Sequence, residues 1–165
     1  MISRLEPATD DNVSALVALR AAVAAKLTAE HGRGPWSHAS SEKGVRFDMR
    51  NTELLVVRHG VRLVGTLSLT TKKPWAIDLR HFRAARRPLY LLSMAVAPEF
   101  QRQGIGRLCL GGVFDLCRER SVDAVRLDAY DATAGAGLFY AKCGFHEVGR
   151  ASYRNCPLVY FERLL

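Results

Sequence analysis

Leu89-Tyr90-Leu91-Leu92-Ser93-Met94-Ala95-Val96-Ala97-Pro98-Glu99-Phe100-Gln101-Arg102-Gln103-Gly104-Ile105-Gly106-Arg107 is the stretch whose reading decides the fold. Its apolar first half predicts a strand over 89–96 of the kind buried on both sheet faces, stopped by Pro98. A polar, glycine-bearing loop follows over 101–106. Residues 108–120 then predict a helix and 124–129 another strand. Strand, loop, helix and strand in this order predict a parallel crossover. The first turn of such a helix carries amide N–H groups with no partners, and the helix dipole adds positive potential there. Gly104 and Gly106 have no Cβ to keep an anion from the backbone, and Arg102 and Arg107 add full charges. The object predicted is a cradle for a pyrophosphate. A bare Gly-x-Gly fits a simple turn equally well. A dinucleotide fingerprint fails because Cys109 stands where its third glycine would be and only one crossover unit is present. A phosphate loop fails because the Gly-Lys-Ser/Thr ending is missing.

Upstream, Leu16, Leu19, Val23 and Leu27 recur with helical spacing, capped by Thr9 or Asp10 and ended at His31-Gly32. Gly34-Pro35-Trp36-Ser37-His38 reads as a loop, and Ser40 or Ser41 caps a second helix to about Met49. Residues 53–58 and 61–70 predict a hairpin turning at His59-Gly60, with Leu63, Gly65, Leu67 and Leu69 on one face. Residues 72–88 have no clean period and form a long connection rich in Arg and His. Downstream, a last helix runs from Thr133 or Ala134 to Cys143 and stops at Gly144. Residues 145–153 and 158–163 finish the chain as two antiparallel strands, with Cys156-Pro157 in the turn.

The chain has 165 residues, 48% hydrophobic and 24% charged, which predicts one globular domain over 1–165 and excludes a disordered chain or a coiled coil. The net charge of +8 admits nucleic acid, an anionic membrane surface or an anionic small molecule as partner, and does not choose among them. Cys109, Cys117, Cys143 and Cys156 form no Cys-x-x-Cys pair and no zinc-spaced cluster, so no metal is expected and the thiols read as reduced, in a cytoplasmic protein. Charges at Asp10, Asp11, Arg20 and Lys26 argue against a signal peptide. The run 89–97 is far below the ~20 residues that span a bilayer.

The motif Gln101-x-x-Gly104-x-Gly106 after an apolar strand resembles the acetyl-CoA-binding motif of the GNAT N-acetyltransferase superfamily. Ala136-Gly137-Leu138-Phe139-Tyr140-Ala141-Lys142-Cys143-Gly144-Phe145 resembles that family's second signature. The likeness is sharp over 89–149 and looser over the whole chain. It implies an α/β (α+β) fold with a central mixed sheet splayed at the cofactor site and flanked by helices. It also implies acetyl-CoA as co-substrate and an amine acceptor. By resemblance, backbone groups of Met94, Ala95 and Val96 pair with the pantetheine arm, and Gln101, Arg102, Gln103, Gly104, Ile105, Gly106 and Arg107 form the pyrophosphate loop. Ala136, Phe139 and Tyr140 flank the sulfur. The family often has Asn seven residues before the tyrosine; here Thr133 stands there, and a hydroxyl replaces one amide hydrogen bond but not two.

The expected reaction moves an acetyl group from a thioester to an amine. A backbone N–H near Val96 stabilises the oxyanion, and Tyr140 gives the thiolate a proton or a strong hydrogen bond. Phenol at ~10 and thiol at ~8.5 make full transfer uphill by ~2 kcal/mol, so donation develops as the C–S bond breaks. Glu30, His31, His38, Glu53, Asp78, His81 or a water could take the amine proton, and the sequence singles out none of them. Trp36, Trp75, Asp78 and Tyr90 are candidates to line the acceptor pocket. The run Arg80-His81-Phe82-Arg83-Ala84-Ala85-Arg86-Arg87 reads most simply as a solvated basic loop, with a role toward phosphates, an acidic substrate or nucleic acid as the functional options. The expected acceptor is a small-molecule primary amine. The alternatives are a peptide or protein amine, a non-catalytic acyl-CoA sensor, and a nucleic-acid accessory role that no motif supports. No membrane partner is expected, and the oligomeric state, a homodimer included, is open.

Overall fold

The computed structural model describes all residues, Met1–Leu165. In chain order the elements are β1 (Glu6–Pro7), α1 (Val13–His31), α2 (Glu42–Asn51), β2 (Glu53–His59), β3 (Arg62–Thr70), β4 (Pro88–Val96), α3 (Ile105–Glu119), β5 (Ala124–Tyr130), α4 (Gly137–Lys142), β6 (His146–Tyr153) and β7 (Cys156–Leu164). The sheet is mixed, with strand order β1-β2-β3-β4-β5-β7-β6. Strands β4 and β5 pair in parallel, as the crossover reading requires, while β1–β2, β2–β3, β5–β7 and β6–β7 are antiparallel. The expected α+β class is the one the chain adopts. Its contacts divide it into two compact units, Met1–Leu69 with Ser93–Phe114, and Thr70–Leu92 with Asp115–Leu165.

In the first unit, α1 ends where Gly32 takes φ +80 and its amide bonds Thr28 O at 2.9 Å. Ser41 caps α2 by accepting from the Gly44 amide at 3.2 Å. Val13, Leu16 and Leu19 of α1 meet Val45 of α2 and Leu54, Val56 and Leu63 of the hairpin in one core cluster. The segment Asp10–His31 is long and apolar enough to cross a bilayer by length and composition alone. Its Leu16 face is packed in that cluster, and Arg20 is paired with Asp48 at 2.7 Å. Strand β3 departs from the one-faced expectation. Every residue from Leu63 to Leu69 is buried, because β3 lies between β2 and β4 with both faces covered. Thr66 satisfies its buried hydroxyl on Leu55 O at 3.0 Å.

In the second unit, β5 and β7 pair from Ala124↔Leu164 to Tyr130↔Leu158, and β6 pairs with β7 beyond. The turn of this last hairpin is Arg154-Asn155, not Cys156-Pro157. Both turn residues have positive φ (+49 and +61), the geometry that matches the twist of a two-residue hairpin, and Tyr153 pairs directly with Cys156. The long connection over 72–87 is a strap pinned along the β5–β7 face. Ile77 is buried in a cluster with Tyr90, Leu158 and Tyr160, and Phe82 packs against it.

Candidate functional site

The glycine loop lies in the first unit and has the conformation its sequence predicts, with one shift. Helix α3 starts at Ile105, three residues before the expected Leu108, so the loop itself supplies the first turn. The first helical bond is Leu108 N to Gly104 O at 3.0 Å, which leaves the amides just before it without a helical acceptor. Arg102 (φ +59) and Gly104 (φ +85) are both left-handed, and nothing lies within 4 Å of where a Gly104 Cβ would be. Ile105 and Cys109 seat the helix on β3, each 3.4 Å from the position of a Gly65 Cβ. Cys109 in the third-glycine position is thus core, and burial pushes its thiol up to about 11. Gln101 and Gln103 spend their side-chain amides on the backbone: Gln101 donates to Val96 O at 3.0 Å and Gln103 to Glu99 O at 2.8 Å. Their role is to fix the loop to the end of β4. Arg102 and Arg107 are exposed.

The parallel ladder covers only Pro88–Tyr90 against Ala124–Arg126. Ser93 then takes φ +51 and is exposed, and Met94, Ala95 and Val96 are half-buried. This corrects the expectation of a strand buried on both faces throughout. Burial holds for Leu89–Leu91 and is lost from Leu92 onward in β4.

Of the other expected cofactor residues, Thr133, Ala136, Phe139 and Tyr140 lie in the second unit. Helix α4 is shorter than predicted, Gly137–Lys142, because residues 131–136 form turns. Gly135 is required there, since a Cβ would stand 2.0 Å from Tyr130 O. Thr133 and Ala136 are exposed. Tyr140 is buried, with its ring among Phe139, Phe145 and Phe161 at centroid distances of 5.3, 5.6 and 6.2 Å.

Sequence reasoning missed Asp128. It stands on β5 two residues past the end of the parallel ladder, directly opposite Tyr160 of β7. Burial raises its carboxyl above the ordinary aspartate value. Tyr130, Cys156 and Tyr160 are close enough to feel its charge, and each is itself pushed upward, chiefly by burial. The only sequence signal is a carboxylate inside an otherwise apolar strand, Val125 to Ala129, next to the equally anomalous Arg126. The expected bases are otherwise engaged or exposed. Glu30 pairs with Lys26 at 3.0 Å, Asp78 pairs with Arg80, His81 stacks edge-on to Tyr160 at 5.4 Å, and His38 is exposed. Of the expected pocket residues, Trp75 is 85% exposed, whereas Tyr90 is buried with its hydroxyl 3.4 Å from Arg126 Nη1. Trp36 lies over Gly34 and donates its indole N–H to Gly32 O at 2.8 Å.

The basic run is not a loose loop. Both carboxylate oxygens of Asp123 accept from the strap, from the Arg86 and Arg87 amides at 2.8 and 2.9 Å, and this holds Asp123 below the usual carboxylate range. Arg126 and Glu162 form a buried ion pair at 2.8 Å, with side chains 5% and 2% exposed. Arg126 also donates to Arg83 O and lies 5.1 Å over the Phe82 ring, while Glu162 accepts from the Arg83 amide at 3.3 Å. Tyr160 donates its hydroxyl to Ala76 O.

The sequence model of the acetyltransferase (GNAT) family matches residues 21–145. The chain belongs to the acetyltransferase (GNAT) family. Among characterised relatives, the [ribosomal protein bS18]-alanine N-acetyltransferase of Escherichia coli (strain K12) is 37% identical over 57 residues, 34% of this chain and 38% of the relative. In that match the chain spans little more than a third of the relative's length. The crystal structure of the ribosomal-protein-S18-alanine N-acetyltransferase from Escherichia coli shares the fold with a TM-score of 0.73 at 16% identity, over 99% of this chain and 94% of that one. The PaiA N-acetyltransferase from Thermoplasma acidophilum, solved in complex with coenzyme A, does so with 0.73 at 13% identity, over 100% and 99%. The match bears out the family resemblance read from the sequence.

Proposed function

We propose that this GNAT protein transfers the acetyl group of acetyl-CoA to a primary amine, with Asp128 receiving the amine proton and Tyr140 supplying a proton to the leaving thiolate. The observation that carries the cofactor half is the start of α3: a left-handed Gly104 with open space beside it, followed by amides without helical acceptors. Such a cradle suits a diphosphate, and Arg102 and Arg107 add charge to it. In the reaction the Asp128 carboxylate takes one proton from the ammonium, the neutral nitrogen bonds the acetyl carbon, the C–S bond breaks as the Tyr140 hydroxyl gives its proton to sulfur, and the second nitrogen proton returns to the Tyr140 phenolate.

Asp128 suits the base role better than the six groups suggested by sequence, because burial raises its affinity for a proton and no ion pair claims it. An ordinary carboxylate near ~3.9 takes a proton from an α-ammonium (~7.8) at a cost of about 5 kcal/mol, and from a lysine ammonium (~10.4) at about 9 kcal/mol. A raised carboxyl narrows both, and the α-amine remains the easier donor. That supports an α-amino group over a lysine. The small-molecule amine expected from sequence and a polypeptide α-amine both fit. The name of the Escherichia coli relative favours the second.

Thiol release from acetyl-CoA, screened over amino acids, polyamines, aminoglycosides and short peptides, tests the reading. Tyr140→Phe is expected to slow turnover with little change in acetyl-CoA affinity. An acetyl-CoA-binding protein that releases no thiol with any amine is a sensor, and the enzyme reading then fails.

A further inference from the structure

We propose that the acceptor is the amino terminus of a polypeptide with acidic residues a few positions into its chain, and that the exposed guanidinium groups of the strap are the track on which it docks. The inference rests on the assignment of Asp128 as proton acceptor and names the substrate class of that same site.

The strap has a direction and a register. Its Ala76 carbonyl is held by Tyr160, the residue opposite Asp128. Its Arg83 is held by Arg126 and Glu162, two pairs further back along the same strands. Its Arg86 and Arg87 are held by Asp123, just before β5 begins. The strap therefore runs antiparallel to β5, from the level of Asp128 to that of Asp123. Five residues of strand separate these levels, about 17 Å, the reach of about five extended peptide residues.

The cations along it are numerous, and three of them are exposed on a backbone that is held in place. Residues 72–87 hold Lys72, Lys73, Arg80, Arg83, Arg86 and Arg87 against one carboxylate, Asp78, which Arg80 already engages. Lys73 turns back to cap the Pro74 and Ile77 carbonyls. Arg83, Arg86 and Arg87 are exposed, and their bonds to the body are all made by backbone atoms, which leaves the three guanidinium groups for a ligand. A buried ion pair and a shared carboxylate hold the backbone that carries them, so the strap itself adds little backbone-ordering cost on binding. A solvated loop needs no such anchoring, and a small amine at Asp128 would not reach these charges. At the Asp128 end the indole of Trp75 is almost fully exposed, a surface for the first residues of a chain. One aromatic at the end of a cation row does not make the stacking ladder of a single-strand RNA binder, so an acidic peptide is the better match.

The test uses the full-length protein and two sets of Ala-initiated nonapeptides, alike except for Glu or Gln at positions four to seven. Thiol release gives KM and kcat, and fluorescence anisotropy gives binding without chemistry. Each exposed ion pair is worth about twofold, so three predict a KM and Kd about tenfold lower for the acidic set with kcat similar. That preference should collapse between about 50 and about 300 mM salt. It should vanish in the triple variant Arg83→Gln, Arg86→Gln, Arg87→Gln and invert in favour of the Gln set in the double variant Arg86→Glu, Arg87→Glu. Equal affinity for both sets overturns the proposal, as does a preference that survives the triple variant. An RNA oligonucleotide that binds the strap more tightly than the acidic set also overturns it. If no amine is acetylated, the enzymatic reading fails separately, and the anisotropy ratio still decides this one.

Discussion

Asp128 joins two properties that a single substitution separates. A carboxyl whose pKa is raised on folding binds its proton more tightly in the native chain than in the unfolded one. Its ionised form therefore costs stability at neutral pH, and that cost fades as pH falls through the raised native value and is gone below the ordinary carboxylate one. Asp128→Asn keeps the shape and removes the charge. It should lower kcat by about 10²–10⁴-fold, the usual worth of a general base, leave acetyl-CoA affinity unchanged and raise the melting temperature at pH 7. The acid limb of the kcat/KM profile should disappear with it. A merely structural Asp128 would show the stability change with kcat intact. Cys109 and Cys117, both pushed up to about 11 by burial, should resist alkylation at pH 8 in the native protein, whereas a solvent-exposed thiol would react.

Among the elements, the strap is where structure departs furthest from what sequence could convey. Strands and helices were legible because their apolar periods are local: the Leu16–Leu19 stripe, the β2–β3 alternation and the apolar run from Leu89 each announce an element. The last turn was misplaced because Pro157 is the stronger local signal, yet Arg154-Asn155 has the backbone the hairpin needs. Residues 72–87 carry no period, and what orders them is non-local: Asp123, Arg126, Tyr160 and Glu162 lie far along the chain. Asp123 has a depressed pKa, so its contribution to stability is present above the ordinary carboxylate value and lost as pH falls through the native one. Asp123→Asn should free the Arg86 and Arg87 end of the strap. Gly149→Ala should wedge it elsewhere, since a Cβ there would stand 2.1 Å from His81 Nδ1 and 2.9 Å from its Cβ. In limited trypsin digestion both variants should be cut within 80–87 faster than the parent. Glu162→Ala strands a buried guanidinium and should cost about 3–5 kcal/mol of unfolding free energy in a denaturant titration.

At the scale of the whole chain, the two signatures identified the family because each is a short pattern tied to a backbone device: the left-handed glycine before α3, and the Gly144 stop after α4 with φ +86. The proposed proton acceptor escaped because a lone carboxylate in the apolar run of β5 is a weak signal beside the equally anomalous Arg126, and Tyr160, which stands opposite it, lies far along the chain. A ligand that binds only the folded chain stabilises it by about 2.7 kcal/mol at a hundred times its Kd. For a chain of this length that is a rise of roughly 5–10 °C in Tm. Gly104→Val places a β-branched residue at φ +85, a conformation that costs about 1–3 kcal/mol for a non-glycine residue. The variant should therefore melt a few degrees lower without ligand. Its larger effect should be on the increment, because the new side chain fills the open space beside the unpaired amides of α3. A differential scan of both proteins with and without acetyl-CoA separates the two effects. Backbone strain lowers both melting curves equally, while loss of the cradle removes the ligand-induced rise. A Gly104→Val protein that keeps the full rise would place the diphosphate elsewhere on the chain.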